Sequence, residues 1–114
     1  MNFCNSIITS KFIGGEKMMT LILWEVNMSL FPSDPEERRK LIMSMAEKVK
    51  GDVDSGKTKM WGISTGGGRG FSVTEGDGKE IYAVTAGFTP YIKFKVKPML
   101  SIDEMIEVMK EMQQ

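Results

Sequence analysis

The chain has 114 residues, no histidine, one cysteine, and 15 Lys+Arg balancing 15 Asp+Glu. That length predicts one core, and 41% hydrophobic with 26% charged residues are ordinary proportions for a folded chain. Without histidine there is no Ser-His-Asp or Cys-His nucleophile, no imidazole base and no imidazole-built zinc site; a lone Cys4 forms no internal disulfide, and zero net charge gives no broad basic surface for nucleic acid or a membrane.

Residues 1–17 stand apart. They carry Cys4, the apolar pairs Ile7-Ile8 and Phe12-Ile13, and then Gly14-Gly15. Two readings stay open: an extension ahead of the domain, with Met18 or Met19 as the true start, or a strand over 6–13 that turns into the next one. The segment has no basic region before its apolar part and Lys11 interrupts it, so it makes a poor signal peptide. No segment reaches the ~20 apolar residues of a membrane span. A reducing, cytoplasmic setting is expected, and residues 18–114 are expected to form a single domain.

Residues 20–26 predict a strand with Ile22, Trp24 and Val26 on one side and Leu21 and Leu23 on the other. A strand apolar on both faces is usually buried on both. Asp34-Pro35-Glu36-Glu37 predicts a helix start with Asp34 as cap and Glu37 completing a capping box. Leu41, Ile42, Met45, Ala46 and Val49 then recur at helical spacing, and Gly51 or Gly56 ends the helix. Strands over 57–64 and 70–75 flank Gly66-Gly67-Gly68-Arg69-Gly70 as a hairpin. Asp77-Gly78 opens a helix over 78–88 with Ile81, Val84 and Phe88 inward. Over 91–97, Ile92, Phe94 and Val96 alternate with Lys93, Lys95 and Lys97, and Pro98 closes that strand. Ser101 and Glu104 form a second capping box ahead of a stripe of Ile102, Met105, Ile106, Met109 and Met112.

The order predicts an α+β, ferredoxin-like β-α-β-β-α-β antiparallel sheet with a C-terminal helix. Both crossover helices lie on one face, so the other face needs a cover. A second copy is the simplest one, with a two-fold interface by default.

At this point the chain resembles the dimeric α/β-barrel superfamily and, within it, a small uncharacterised family known only as a domain of unknown function. The resemblance rests on Leu23-Trp24-Glu25-Val26, on Pro35-Glu36-Glu37-Arg38, on Trp61-Gly62 leading into the 66–70 glycines, and on the Tyr91-to-Val96 stretch before Pro98. It covers residues 20–112 and implies the fold and a homodimer whose two sheets enclose a cavity. Some relatives in that superfamily are cofactor-independent oxygenases or isomerases; others bind small molecules or regulate. Several of the enzymes use a histidine or a carboxylate in the cavity; this chain has no histidine, so their usual acid-base residue does not transfer and no catalytic residue is carried over.

The residues themselves offer several constellations. Gly51-Asp52-Val53-Asp54-Ser55-Gly56-Lys57-Thr58 matches the phosphate-loop pattern letter for letter. Its context is reversed, since a helix precedes it and a strand follows, and two aspartates stand where phosphates would sit. No nucleotide site is expected, and no metal or cofactor. Gly67 and Gly68 beside Arg69, one of three arginines, offer an anion nest; the plainer reading, which we favour, is hairpin glycines at positive φ. The row Lys93, Lys95, Lys97 suits an acidic ligand on the sheet face or, as favoured here, protection of an edge strand. Trp24 and Trp61 favour an interface or a cavity. Glu25 is an acid-base group if enclosed beside Ser72 and Thr74, and a solvated charge at the strand end, the favoured reading. The methionines on helical stripes are expected in the core.

These observations lead to a homodimeric, non-catalytic protein that binds a small anionic or apolar molecule or serves as an accessory subunit. Arg69, Glu25, Trp24, Trp61, Gly67 and Gly68 are its candidate ligand residues. The alternative is a cofactor-independent oxygenase- or isomerase-like enzyme with Glu25 and Arg69 as its polar groups. A weaker alternative is an interaction module whose last helix docks a partner. Neither nucleic acid nor membrane is an expected partner.

Overall fold

A computed structural model describes residues 18–113; the extension-or-strand expectation for 1–17 lies outside them. The elements run β1 (Met18–Val26), a short 3-10 turn (Met28–Leu30), α1 (Pro35–Asp54), β2 (Thr58–Ile63), β3 (Arg69–Gly76), α2 (Gly78–Ala86), β4 (Ile92–Met99) and α3 (Ile102–Met112). All strand pairings are antiparallel, and the sheet order is β2-β3-β1-β4. This four-stranded α+β arrangement with a C-terminal helix is compatible with the ferredoxin-like expectation.

The caps explain where the helices begin. The Glu37 N–H donates to Asp34 Oδ2 at 3.0 Å, with Pro35 in the first turn where its missing N–H costs nothing. Only this half of the expected capping box forms there. Asp77/Glu80 and Ser101/Glu104 each form both halves. α1 runs through Gly51 and stops just before Gly56, whose φ of +83° is the left-handed conformation that suits glycine. α2 ends at Ala86, two residues earlier than its stripe predicts, because Gly87 follows; Phe88 still turns inward and is buried. β4 continues through Pro98 to Met99, which an edge strand tolerates.

The register assigns every strand residue to a face. On the face covered by α1 and α2, Thr58, Thr74 and Thr20 form one cross-strand row, Trp61, Ser72 and Ile22 a second, and Ile63, Gly70 and Trp24 a third. The threonines are buried, and the Oγ1 atoms of Thr58 and Thr74 lie 3.4 Å apart. On the other face Leu23 stands between Phe71 and Lys95, Leu21 between Val73 and Lys97, and Glu25 between Arg69 and Lys93. The two-sided apolar character of β1 is thus real, but among the described residues the helices α1 and α2 cover only one side.

The methionine expectation needs correcting. Met105, Met109 and Met112 are exposed, and α3 packs broadly against no other element among the described residues. The three turns of α3 follow β4 after two residues, and most of their apolar stripe is left open.

Candidate functional site

Gly70 organises the site. A Cβ there would strike the Gly62 carbonyl oxygen and lie 2.5 Å from Trp24 Cζ2. The bare strand therefore lets the indole of Trp24 lie flat across β3 and reach Trp61 on β2. The two rings stack with centroids 5.5 Å apart and planes 17° from parallel. Trp24 is only 8% exposed, whereas Trp61 is 39% exposed. Trp24 Nε1 is buried and has no hydrogen-bond partner among the described residues. An indole N–H left so costs on the order of 1–3 kcal/mol.

This stack forms one wall of a cavity of about 410 Å³ between α1 and the sheet. Ile42, Met45 and Val49 of α1 roof it, and Phe88 and Phe94 close one side. Phe88 and Phe94 are in ring contact at 6.3 Å. The floor carries the hydroxyls of Thr58, Ser72 and Thr74. α1 has no fully buried side chain, so its apolar stripe stands over the sheet without closing on it. Asp52 is the one titratable side chain in the lining, and no lysine or arginine takes part.

The six candidate ligand residues divide between the two faces. Trp24, Trp61, Gly67 and Gly68 all line the α1 cavity. Glu25 and Arg69 stand on the opposite face, where Arg69 Nη2 lies 3.6 Å from Glu25 Oε1 and the two side chains are 61% and 72% exposed. Ser72 and Thr74 do not share a face with Glu25; they pair across the sheet with Ile22 and Thr20. Gly67 and Gly68 have φ of +78° and +84°. The Gly67 N–H donates to the Ser64 carbonyl at 2.7 Å and the Gly66 N–H to Ser64 Oγ at 3.3 Å. Those two donors are spent inside the hairpin turn rather than turned toward an anion.

Sequence reasoning missed the roof and the hydroxyl floor as parts of a site. The 42–45–49 stripe carries the signal for a buried helix face, but nothing in it says that the face stops short of the sheet. Thr58 belongs to the phosphate-loop match, whose reversed context the structure bears out: α1 ends at Asp54 and β2 begins at Thr58. Among the described residues no group of three acidic or cysteine side chains gathers where a metal ion could sit, and no helix is long and apolar enough to cross a membrane.

The chain matches a protein family described as Domain of unknown function (DUF3303) over residues 21–113. No curated protein matches it.

Proposed function

The chain belongs to the DUF3303 family, a domain of unknown function, and we propose that it is a cytoplasmic, homodimeric, non-catalytic protein that holds a small apolar molecule in the cavity beneath α1. The observation that supports this reading is the lining. It offers aromatic and aliphatic walls, three hydroxyls and one carboxylate, but no pair of titratable groups that could pass a proton between them. Its volume falls in the range of pockets that enclose small organic ligands. The enzyme alternative depends on Glu25 and Arg69, and these are exposed on the other face.

Dimerisation is proposed on separate grounds. Leu21, Leu23, Phe71 and Val73 form a continuous apolar strip on the face that neither α1 nor α2 covers. A second copy, related by a two-fold axis, is the cover we propose, as in the dimeric α/β-barrel superfamily that the chain resembles.

A neutral dye tests the cavity. Nile red is expected to give saturable fluorescence enhancement with the wild-type chain. Val49→Trp, which fills the roof, is expected to abolish it while leaving the unfolding midpoint nearly unchanged. Undiminished dye binding by a folded Val49→Trp protein contradicts the assignment and moves the apolar site to the open sheet face.

A further inference from the structure

We infer that the cavity beneath α1 takes a neutral, flat, aromatic molecule carrying a hydrogen-bond acceptor, a carbonyl or ring nitrogen, that receives the indole N–H of Trp24. The inference rests on the small-molecule reading above and narrows it to a class of ligand. Three observations carry it.

First, the charge of the lining disfavours an anion. No cationic side chain lines the cavity, and Asp52 is present at it. A buried carboxylate or phosphate would find no partner, and an unpaired charge in such surroundings is strongly disfavoured. Arg69, Lys93 and Lys95 belong to the opposite side of the sheet, and Lys48 of α1, with its Nζ 6.0 Å from the centroid of the Phe88 ring, is outside the lining.

Second, the walls are aromatic and flat. Trp61, stacked on Trp24 and itself partly exposed, stands in the lining with Phe88 and Phe94. Offset stacking on such a surface favours a planar ring over a flexible chain of equal area.

Third, the site has one unmet hydrogen-bonding need. Trp24 Nε1 is the buried side-chain polar atom without a partner among the described residues. Thr58 and Thr74, by contrast, are within reach of each other. The N–H is shut off from water, so an acceptor reaches it only if Trp61 shifts aside. Trp61 is partly exposed and sits on the outermost strand β2, and the α1 roof has no fully buried anchor to resist the shift. An arriving acceptor satisfies a donor that nothing among the described residues satisfies, which gives such ligands an advantage over a plain hydrocarbon.

Three isosteric probes test this: 2-acetylnaphthalene, 2-ethylnaphthalene and 2-naphthoate, titrated against the full chain by tryptophan fluorescence and by the two indole N–H signals in a ¹H-¹⁵N spectrum. Trp61→Phe assigns the signals. The ketone is expected to move the Trp24 indole proton downfield on saturation and the hydrocarbon to leave it in place. Trp24→Phe is expected to weaken the ketone by about tenfold and the hydrocarbon hardly at all, the effect of one lost hydrogen bond. The naphthoate is expected to bind at least about tenfold more weakly than the ketone. If Trp24→Phe does not fold, the wild-type indole shift decides alone. An unmoved Trp24 proton in the saturated ketone complex, or naphthoate binding as tightly as the ketone, overturns this inference and leaves the small-molecule reading standing. No saturable binding of any probe overturns both.

Discussion

Gly70→Ala adds one methyl group and is expected to be among the most damaging small substitutions in the chain. The new Cβ would meet the Gly62 carbonyl oxygen and lie 2.5 and 2.8 Å from Cζ2 and Cε2 of Trp24. The first neighbour is backbone held in the β2–β3 ladder, and the second is a rigid ring buried against the core. Neither is the free end of a flexible side chain. Overpacking of this kind costs about 1–3 kcal/mol, and displacing Trp24 also breaks the stack with Trp61, worth about 0.5–1.5 kcal/mol beyond its area. A loss of about 2–4 kcal/mol is therefore expected. Gly51→Ala supplies the control. An added Cβ there meets nothing within 4 Å in the last turn of α1, where Ala exceeds Gly by at most the about 0.5–1 kcal/mol of a helix interior. The same substitution thus has opposite signs at two positions. Urea unfolding followed by far-UV circular dichroism measures both, and near-UV dichroism reports the tryptophan stack. A Gly70→Ala protein with wild-type stability and an unchanged near-UV band refutes the packing described for Trp24.

Other substitutions separate the remaining parts of the account. Asp77→Ala removes the side-chain half of the capping box at α2, the bond from the Glu80 N–H to Asp77 Oδ1 at 2.8 Å, and is expected to cost about 1 kcal/mol in urea unfolding; no change would mean that the cap carries no stability. Arg69→Ala breaks a pair at 3.6 Å whose partners are both largely exposed. Its effect on stability is expected to stay below about 0.5 kcal/mol, and Nile red affinity is expected to be unaltered. A marked loss of dye binding would return Arg69 and its face of the sheet to the ligand site. Thr74→Val leaves Thr58 without its cross-strand hydroxyl neighbour and is expected to cost about 1 kcal/mol, read from the same urea curves.

Much of the fold is legible in the residues, and particular positions show why. The alternation of Leu21, Ile22, Leu23 and Trp24 announces a strand apolar on both faces, and the register bears this out. Ser101 with Glu104, and Asp77 before Gly78, mark helix starts through donors that must be satisfied locally, so short-range sequence suffices. Faces are harder. Alternation divides each strand into two sets but does not say which set of β3 joins which set of β1. That is fixed by the pairing of Glu25 with Arg69, which puts Ser72 and Thr74 on the side away from Glu25. The site was half legible for the same reason. Trp24 and Trp61 mark themselves by size, and Gly67 and Gly68 by the turn they make. Their meeting depends on Gly70 and on the reach of one indole across a strand, which no spacing encodes. The helical stripe of α3 looks like core because amphipathic periodicity is blind to what, if anything, it faces.

The most direct test is native mass spectrometry of the protein purified gently from its own source. The account predicts two copies of the chain flying together, with the added mass of a small organic molecule that is lost when the protein is denatured. A single bare chain, with neither partner nor passenger, contradicts it.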